Sequence, residues 1–191
     1  MARARRDDAR AELALVLERA RAGSDVAFEA IFHELAPAVA GYLRLNGVSE
    51  VDELTNEVFA QVHRGLPGFT GDWAGFRSWV FTIAHHRMVD DARRARRRPP
   101  VAMAEVSEEA ATGDVESEAL DALSDERLHR LLSILSDDQR QVLLLRIVAD
   151  LPLEETADAL GKTVGAVKSL QHRALASLRR ALEHEGVGHG C

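Results

Sequence analysis

An all-α chain, with two small helical domains joined by a flexible acidic linker, is the fold class that three features of the sequence predict. Apolar residues recur at steps of three and four in several stretches, which marks amphipathic helices rather than alternating strands. Aromatics make up only 5% of the 191 residues while 46% are apolar, so small cores of Leu, Val and Ala are expected. Between Pro99 and Glu126 the composition changes abruptly to nine Asp/Glu with no Lys or Arg. Such a stretch cannot bury enough apolar surface to order itself and reads as a linker. The expected organisation is therefore a domain over 11–98, a linker over 99–126, a helix-turn-helix domain over 127–183 and a tail over 184–191.

The elements follow in order. Leu13 to Ala22 reads as a short helix. Ser24 and Asp25 are N-cap types, and Phe28, Ile31, Phe32, Leu35, Val39, Tyr42 and Leu43 form the next apolar stripe. Pro37 interrupts that helix and Gly47 ends it. "VDELTNEVFAQVHRGL" carries a stripe of Leu54, Val58, Phe59 and Val62 beside an acidic edge of Asp52, Glu53, Asn56 and Glu57. "PGFTGDWAG" is expected to be irregular. A helix from Phe76 buries Phe76, Trp79, Val80 and Ile83. It then turns basic, with six Arg against two Asp from Arg87 to Arg98, and Pro99 and Pro100 stop it.

The C-terminal domain shows four helical patterns. Leu128, Leu131, Leu132 and Leu135 mark the first. Ser136 and Gln139 form a capping box for the second. Pro152 lies near the start of the third, Gly161 makes a turn, and Thr163 caps the last, which buries Val167, Leu170, Ala174 and Leu178. A short helix, a glycine turn and a longer basic helix form the helix-turn-helix pattern, whose second helix enters the major groove. From Gly161 to Glu183 there are five Lys/Arg and one Glu. Lys168, Ser169, His172 and Arg173 are the best-placed contacts to DNA. The bland alternative is an αα-hairpin with a solvated basic face.

The chain as a whole carries −7, from 24 Lys+Arg and 31 Asp+Glu, which argues against coating nucleic acid with its entire surface. The lone Cys191 excludes an intrachain disulfide and a cysteine zinc cluster. No apolar run approaches the roughly 20 residues that span a bilayer, and no signal peptide is read, so a cytoplasmic protein without membrane insertion is expected. In "FTGDWAGFRSW" aromatics adjoin the arginine-rich helix, a combination suited to holding an unstacked base while neutralising its backbone. Phe69 and Trp73 suit either that role or the core.

At this point the wording becomes specific. "VDELTNEVFAQVHRGLPGF", "FRSWVFTIAHHRMVDDARRARRRPP" and "LSDDQRQVLLLRIVADLPLEETADALGKTVGAVKSLQHRALASLRR" resemble, in that order, the segments of a bacterial sigma factor of the sigma-70 type. They look like the extracytoplasmic-function (ECF) group, and "VKSLQHRALASLRR" looks most like actinobacterial members. The resemblance implies a protein that is not an enzyme and uses no cofactor or metal. It implies binding to core RNA polymerase, through its β′ and β subunits, selection of promoter DNA and help in opening it. Asp52, Glu53, Asn56 and Glu57 would face a β′ coiled coil. Phe69, Trp73, His86, Arg87, Arg93 and Arg94 would serve the −10 element, the loop from Phe69 to Gly75 capturing a flipped base. Lys168, Ser169, His172 and Arg173 would read the −35 element. Many members of the family are held by an anti-sigma factor, so such a partner is expected. Asn56 stands where the family more often has glutamine, His63 where it has tryptophan, and His86 where it has asparagine.

Two other classes fit parts of the sequence. An ordinary regulator with a sensing domain would share the hairpin but need neither the acidic edge nor the Arg/aromatic segment. A metal-dependent hydrolase would use His86 and Asp90, four apart on one helical face, with further ligands from elsewhere. A tail site of His184, His189 and Cys191 is the remaining metal candidate.

Overall fold

The computed structural model describes residues 2–97 and 127–187. The linker 99–126, and with it the proposed tether, lies outside the described residues, as do His189 and Cys191. Every described element is helical. Helix α1 (Ala2–Arg21) precedes α2 (Asp25–Leu45), α3 (Val51–Gly65), a 3-10 turn (Leu66–Gly68) and α4 (Trp73–Arg97). After the linker come α5 (127–133), α6 (Asp137–Ile147), α7 (Leu153–Leu160) and α8 (Val164–Val187).

The caps sit where the sequence places them. Ser24 Oγ accepts from the Ala27 amide at 3.3 Å and starts α2. Ser136 and Gln139 exchange both bonds of the capping box, at 3.3 and 3.1 Å. Thr163 Oγ1 accepts from the Ala166 amide at 3.2 Å. Gly161 takes φ +60 at the hairpin turn, a left-handed conformation that glycine adopts without steric cost. Pro37 lies inside α2 without ending it.

Three boundaries differ from expectation. α1 begins at Ala2 rather than near Leu13. The segment "PGFTGDWAG" is not wholly irregular. The 3-10 turn takes its first two residues, and α4 begins at Trp73, three residues before Phe76. Asp72 explains the early start: its Oδ1 accepts from the Gly75 amide at 2.9 Å, as an N-cap carboxylate does. Finally, α8 runs to Val187, into the expected tail.

Helix α2 is long and apolar enough to cross a bilayer by length and composition, against the sequence expectation. Its apolar side is instead the centre of the first bundle. Ile31, Leu35, Val39, Tyr42 and Leu43 are fully buried against Leu17 of α1, Val58 and Val62 of α3, and Phe76 and Val80 of α4.

Helix α4 is buried on two sides. One side meets α2 and α3; the other meets α7. The single stripe of Phe76, Trp79, Val80 and Ile83 is therefore too narrow a reading. Phe81, Ala84, His85 and Met88 are buried as well, while Trp79 is only half-buried. The two domains are consequently in contact, and one core cluster continues from Leu17 to Ala174. A smaller cluster of Val142, Ala157 and Val167 holds the C-terminal hairpin together.

Arg77 makes the main polar link across the contact. Its Nε donates to the Ala149 carbonyl at 2.6 Å and its Nη2 to that of Val148 at 3.1 Å. These carbonyls lie just past the end of α6, where a helix presents unpaired acceptors and partial negative charge. The guanidinium also lies 5.5 Å from the centre of the Phe81 ring. Nearby, the Tyr42 hydroxyl bonds His85 Nδ1 at 3.0 Å. Burial, then the neighbouring His86, then Lys162 of the other domain, push the His85 pKa down from 6.5 to about 4. Burial also raises the Tyr42 pKa.

Arg77→Ala removes both carbonyl bonds and the ring contact. It should cost about 1.5–3 kcal/mol in urea unfolding, the usual worth of hydrogen bonds to a charged group. It should also separate the unfolding of the two domains, read by circular dichroism and small-angle scattering. For His85 the sign is fixed by the depressed pKa. The unfolded chain takes up a proton below 6.5 while the folded chain stays neutral down to about 4. Stability should therefore be insensitive to this group above pH 6.5 and fall as pH drops toward 4, by up to about 1.4 kcal/mol per pH unit. The stability difference between wild type and His85→Gln should be constant above that window and change with pH within it.

Candidate nucleic-acid interface

The hairpin α7–α8 presents Lys168, Ser169, His172 and Arg173 together. All four are exposed and line one shallow concavity on α8. Their spacing of one, three and one places them on adjacent rows of the same helical face. Ser169 Oγ donates to the Gly165 carbonyl at 3.0 Å, and Arg173 Nε donates to the Ser169 carbonyl at 3.3 Å. Both side chains are thus steadied by their own helix. Gly165 keeps the first turn small. Leu170 is half-buried against the Val142–Ala157–Val167 cluster, and this anchors the opposite face. Lys162 is tied to Asp138 at 3.0 Å, which fixes the hairpin turn to the start of α6. The arrangement can meet base edges with mixed donors and acceptors and neutralise phosphate with two cations.

The basic end of α4 is a second cationic surface. His86, Arg93 and Arg94 are exposed, as is Arg96, and Arg93 has a loose partner in Asp90 at 3.6 Å. Arg87 differs. Its Nε donates to Gln61 Oε1 at 2.7 Å, and its Nη1 lies 3.7 Å from Glu57. The structure thus brings together two residues that the resemblance gives to different partners. Arg87 and Glu57 brace α4 against α3. Asp52, Glu53 and Asn56 remain exposed along α3. Asp52 and Asn56 rim a groove between α2 and α3 whose floor is Phe32, Ala36, Pro37 and Ala40. Thr55 lines the same groove, and its Oγ1 is buried without a hydrogen-bond partner. Sequence reasoning missed Thr55 because it falls between the apolar stripe and the acidic edge. His63 supplies aromatic packing, edge-on to Phe28 at 4.7 Å.

The loop before α4 is held more firmly than a flexible glycine-rich segment would be. Phe69 stacks on Trp79 at 5.2 Å, and its edge meets Phe76 at 5.4 Å. Gly71 has φ +152, and a Cβ there would lie 2.9 Å from the Phe69 ring. Gly65 is equally constrained, since a Cβ would lie 2.8 Å from the Trp79 ring. Trp73 is half-buried and tilts over Phe76 at 5.7 Å. Phe69 and Trp73 therefore belong to one aromatic cluster with Phe76 and Trp79, partly open to solvent. The alternative of a metal site at His86 and Asp90 gathers no further ligands. Among the described residues no group of three or more His, Cys, Asp or Glu is placed to hold a metal.

Comparison with known proteins bears on both surfaces. Residues 31–98 match the family described as Sigma-70 region 2, and residues 131–180 match Sigma-70, region 4. The chain is 36% identical over 173 residues to the ECF RNA polymerase sigma factor SigD of Mycobacterium tuberculosis, covering 86% of this chain and 81% of that one. Its fold resembles CnrH, solved in complex with the cytosolic domain of CnrY, with a TM-score of 0.65 at 24% identity, covering 89% of this chain and 96% of that one. It also resembles RpoE of Bartonella quintana, solved with the anti-sigma factor NepR, with a TM-score of 0.60 at 18% identity, covering 82% and 96%.

Proposed function

The chain belongs to the sigma-70 family, in its extracytoplasmic-function group, a family of promoter-specific transcription initiation factors that act with RNA polymerase, and from that premise we propose how its surfaces divide the work. The α8 face of Lys168, Ser169, His172 and Arg173 reads the −35 element in the major groove. The loop Phe69–Gly75 captures one flipped base of the −10 element. His86, Arg93 and Arg94 hold the phosphates of the separated strand, and Arg87 acts from behind by bracing α4. Asp52, Glu53 and Asn56 dock on the polymerase β′ subunit, with Glu57 set back at the brace. The domains run over 11–98 and 127–183, and the chain works in the cytoplasm, where its polymerase and promoters are.

The observation that carries this reading is the clustering of four exposed polar and cationic side chains on the recognition face of a helix-turn-helix. Charge supports the rest. The chain is acidic overall, yet six arginines stand from Arg87 to Arg98 at the end of α4 and four cations along α8, while α3 offers carboxylates to a basic partner. The α2–α3 groove suits a helix of such a partner: its floor is apolar and Asp52 and Asn56 stand at its rim. Opening base pairs costs about 1.4 kcal/mol of stacking per step, and base capture with phosphate neutralisation offsets part of that. An anti-sigma factor is a further partner on this reading; a relative by fold was solved with one.

Transcription by purified core polymerase on promoter fragments, with and without the chain, tests the reading as a whole. Selective initiation should appear only with the chain present, and its absence would reject the function. Arg173→Ala should weaken binding to −35 duplex by about 1–3 kcal/mol while core-polymerase affinity is unchanged. Asp52→Lys should do the reverse, lowering polymerase affinity in a competition assay and leaving isolated duplex binding intact.

A further inference from the structure

The loop that precedes α4 is tied to an element outside the matched family segment, which begins at residue 31. Arg21 is the last residue of α1. Its Nη2 donates to the Phe69 carbonyl, and its guanidinium lies 5.8 Å from the centre of the Phe69 ring. Its Nη1 donates to Glu18 Oε1 at 2.7 Å, which orients the fork. The side chain is 22% exposed. Among the described residues the other hydrogen bonds at the loop are local: Phe69 N–H to the Leu66 carbonyl at 3.1 Å, Gly75 N–H to Asp72 Oδ1 at 2.9 Å and Phe76 N–H to the Asp72 carbonyl at 2.9 Å. Among the described residues, Arg21 thus makes the one long-range hydrogen bond to the loop.

We infer that Arg21 is a positioning residue for base recognition, and that α1 is part of the −10 reading apparatus. The inference deepens the proposed base capture by Phe69–Gly75 and rests on it. Geometry assigns the role. The ring of Phe69 is clasped between Trp79, Phe76, Gly71 and the Arg21 guanidinium. Its backbone carbonyl is held by the same guanidinium. Thr70, Gly71 and Asp72 then project from a fixed base, all exposed. A loop that must distinguish one flipped base from another gains selectivity when its backbone is held in place before binding. Arg21 acts through Phe69 and not on DNA, because both of its Nη groups are engaged within the protein. Lysine could not reproduce this, since an ammonium cannot lie flat on a ring and fork to two acceptors.

The chain offers a built-in probe. It has two tryptophans, Trp73 and Trp79, and both belong to the aromatic cluster around Phe69. The experiment uses the full chain and its Arg21→Ala and Arg21→Lys variants. Tryptophan emission and acrylamide quenching report the loop. Binding of core-polymerase complexes to single-stranded −10 oligonucleotides, with each position replaced in turn, reports recognition. Affinity for −35 duplex and for core polymerase controls for folding. In Arg21→Ala, emission should shift to the red and quenching should rise. A base preference of about tenfold in the wild type, typical of one mismatch, should fall to about twofold at the captured position only. Both controls should stay at wild-type values, and Arg21→Lys should fall between. Unchanged fluorescence in Arg21→Ala would overturn the anchoring. Altered fluorescence with base preference intact would overturn the positioning role. A wild type with no base preference at all would remove the base-capture reading, and this inference with it, while the fluorescence still reported whether the anchor exists.

Discussion

Arg77 reaches from the middle of α4 to two carbonyls at the end of α6, and the relation between the two halves of the molecule depends on it. The carbonyls of Val148 and Ala149 belong to a helix terminus, where acceptors lack intrahelical partners. A neutral donor would satisfy one of them. A guanidinium satisfies both, matches the sign of the helix end and keeps its flat face on Phe81. The charge is not stranded in an apolar interior, so the contact gains hydrogen bonds without the full desolvation cost of a buried ion pair. Around it Phe81, Ala149 and Leu151 are shielded from water. The contact joins polar bonds to apolar packing, as contacts between domains of one chain tend to do. Such contacts can be released when a larger partner competes for either side.

That contact also settles how α4 divides its surface. One side is committed to the first bundle through Phe76 and Val80, and another meets α7, with Arg77 reaching the carbonyls past the end of α6. What remains at the C-terminal end is the arginine-rich face, with Arg87 turned back onto Glu57 and Gln61. The pair is half-exposed, so its value lies in fixing geometry more than in stability. Together with the shared core of Val58, Val62, Phe76 and Val80, it holds beside α3 the helix α4, from whose C-terminal half His86, Arg93 and Arg94 project. The acidic edge of α3 and the basic end of α4 are therefore mechanically linked.

Local rules account for what was legible in the sequence. Ser24, Ser136, Gly161 and Thr163 act within three residues of themselves, so their roles need no knowledge of the fold. The stripes of α2 and α3 were equally plain, because each helix buries one face. α4 was not, because a helix covered on two sides has no single period to detect, and the sequence says nothing of a second neighbour 70 residues away. The same limit hid Arg21 and Arg77. Each is one arginine among many until the fold brings it to a carbonyl 48 or 72 residues distant. Glu57 and Arg87 were each visible as charges, and their pairing was not. Asp72 carried a usable signal, an N-cap residue before Trp73, but the glycines around it pointed to a loop.

The locked state of Phe69 bears on how a flipped base would be read. A freely exposed ring would stack any base with similar energy, since every base has a π-face. Stacking alone therefore gives affinity without much selectivity. Here the ring is already stacked on Trp79 and held from behind by α1, so it serves as the floor of the loop and not as its gripping surface. On the proposed base capture, discrimination would come from hydrogen-bonding groups at fixed positions above that floor. Thr70 and Gly71 are both exposed, and their backbone groups would supply donors and acceptors whose pattern matches one base edge and mismatches others. Gly71 is required for that backbone to pass close over the ring, since any side chain there would strike Phe69. A rigid aromatic floor carrying a polar backbone rim is the arrangement that turns a tolerant stacking site into a selective one.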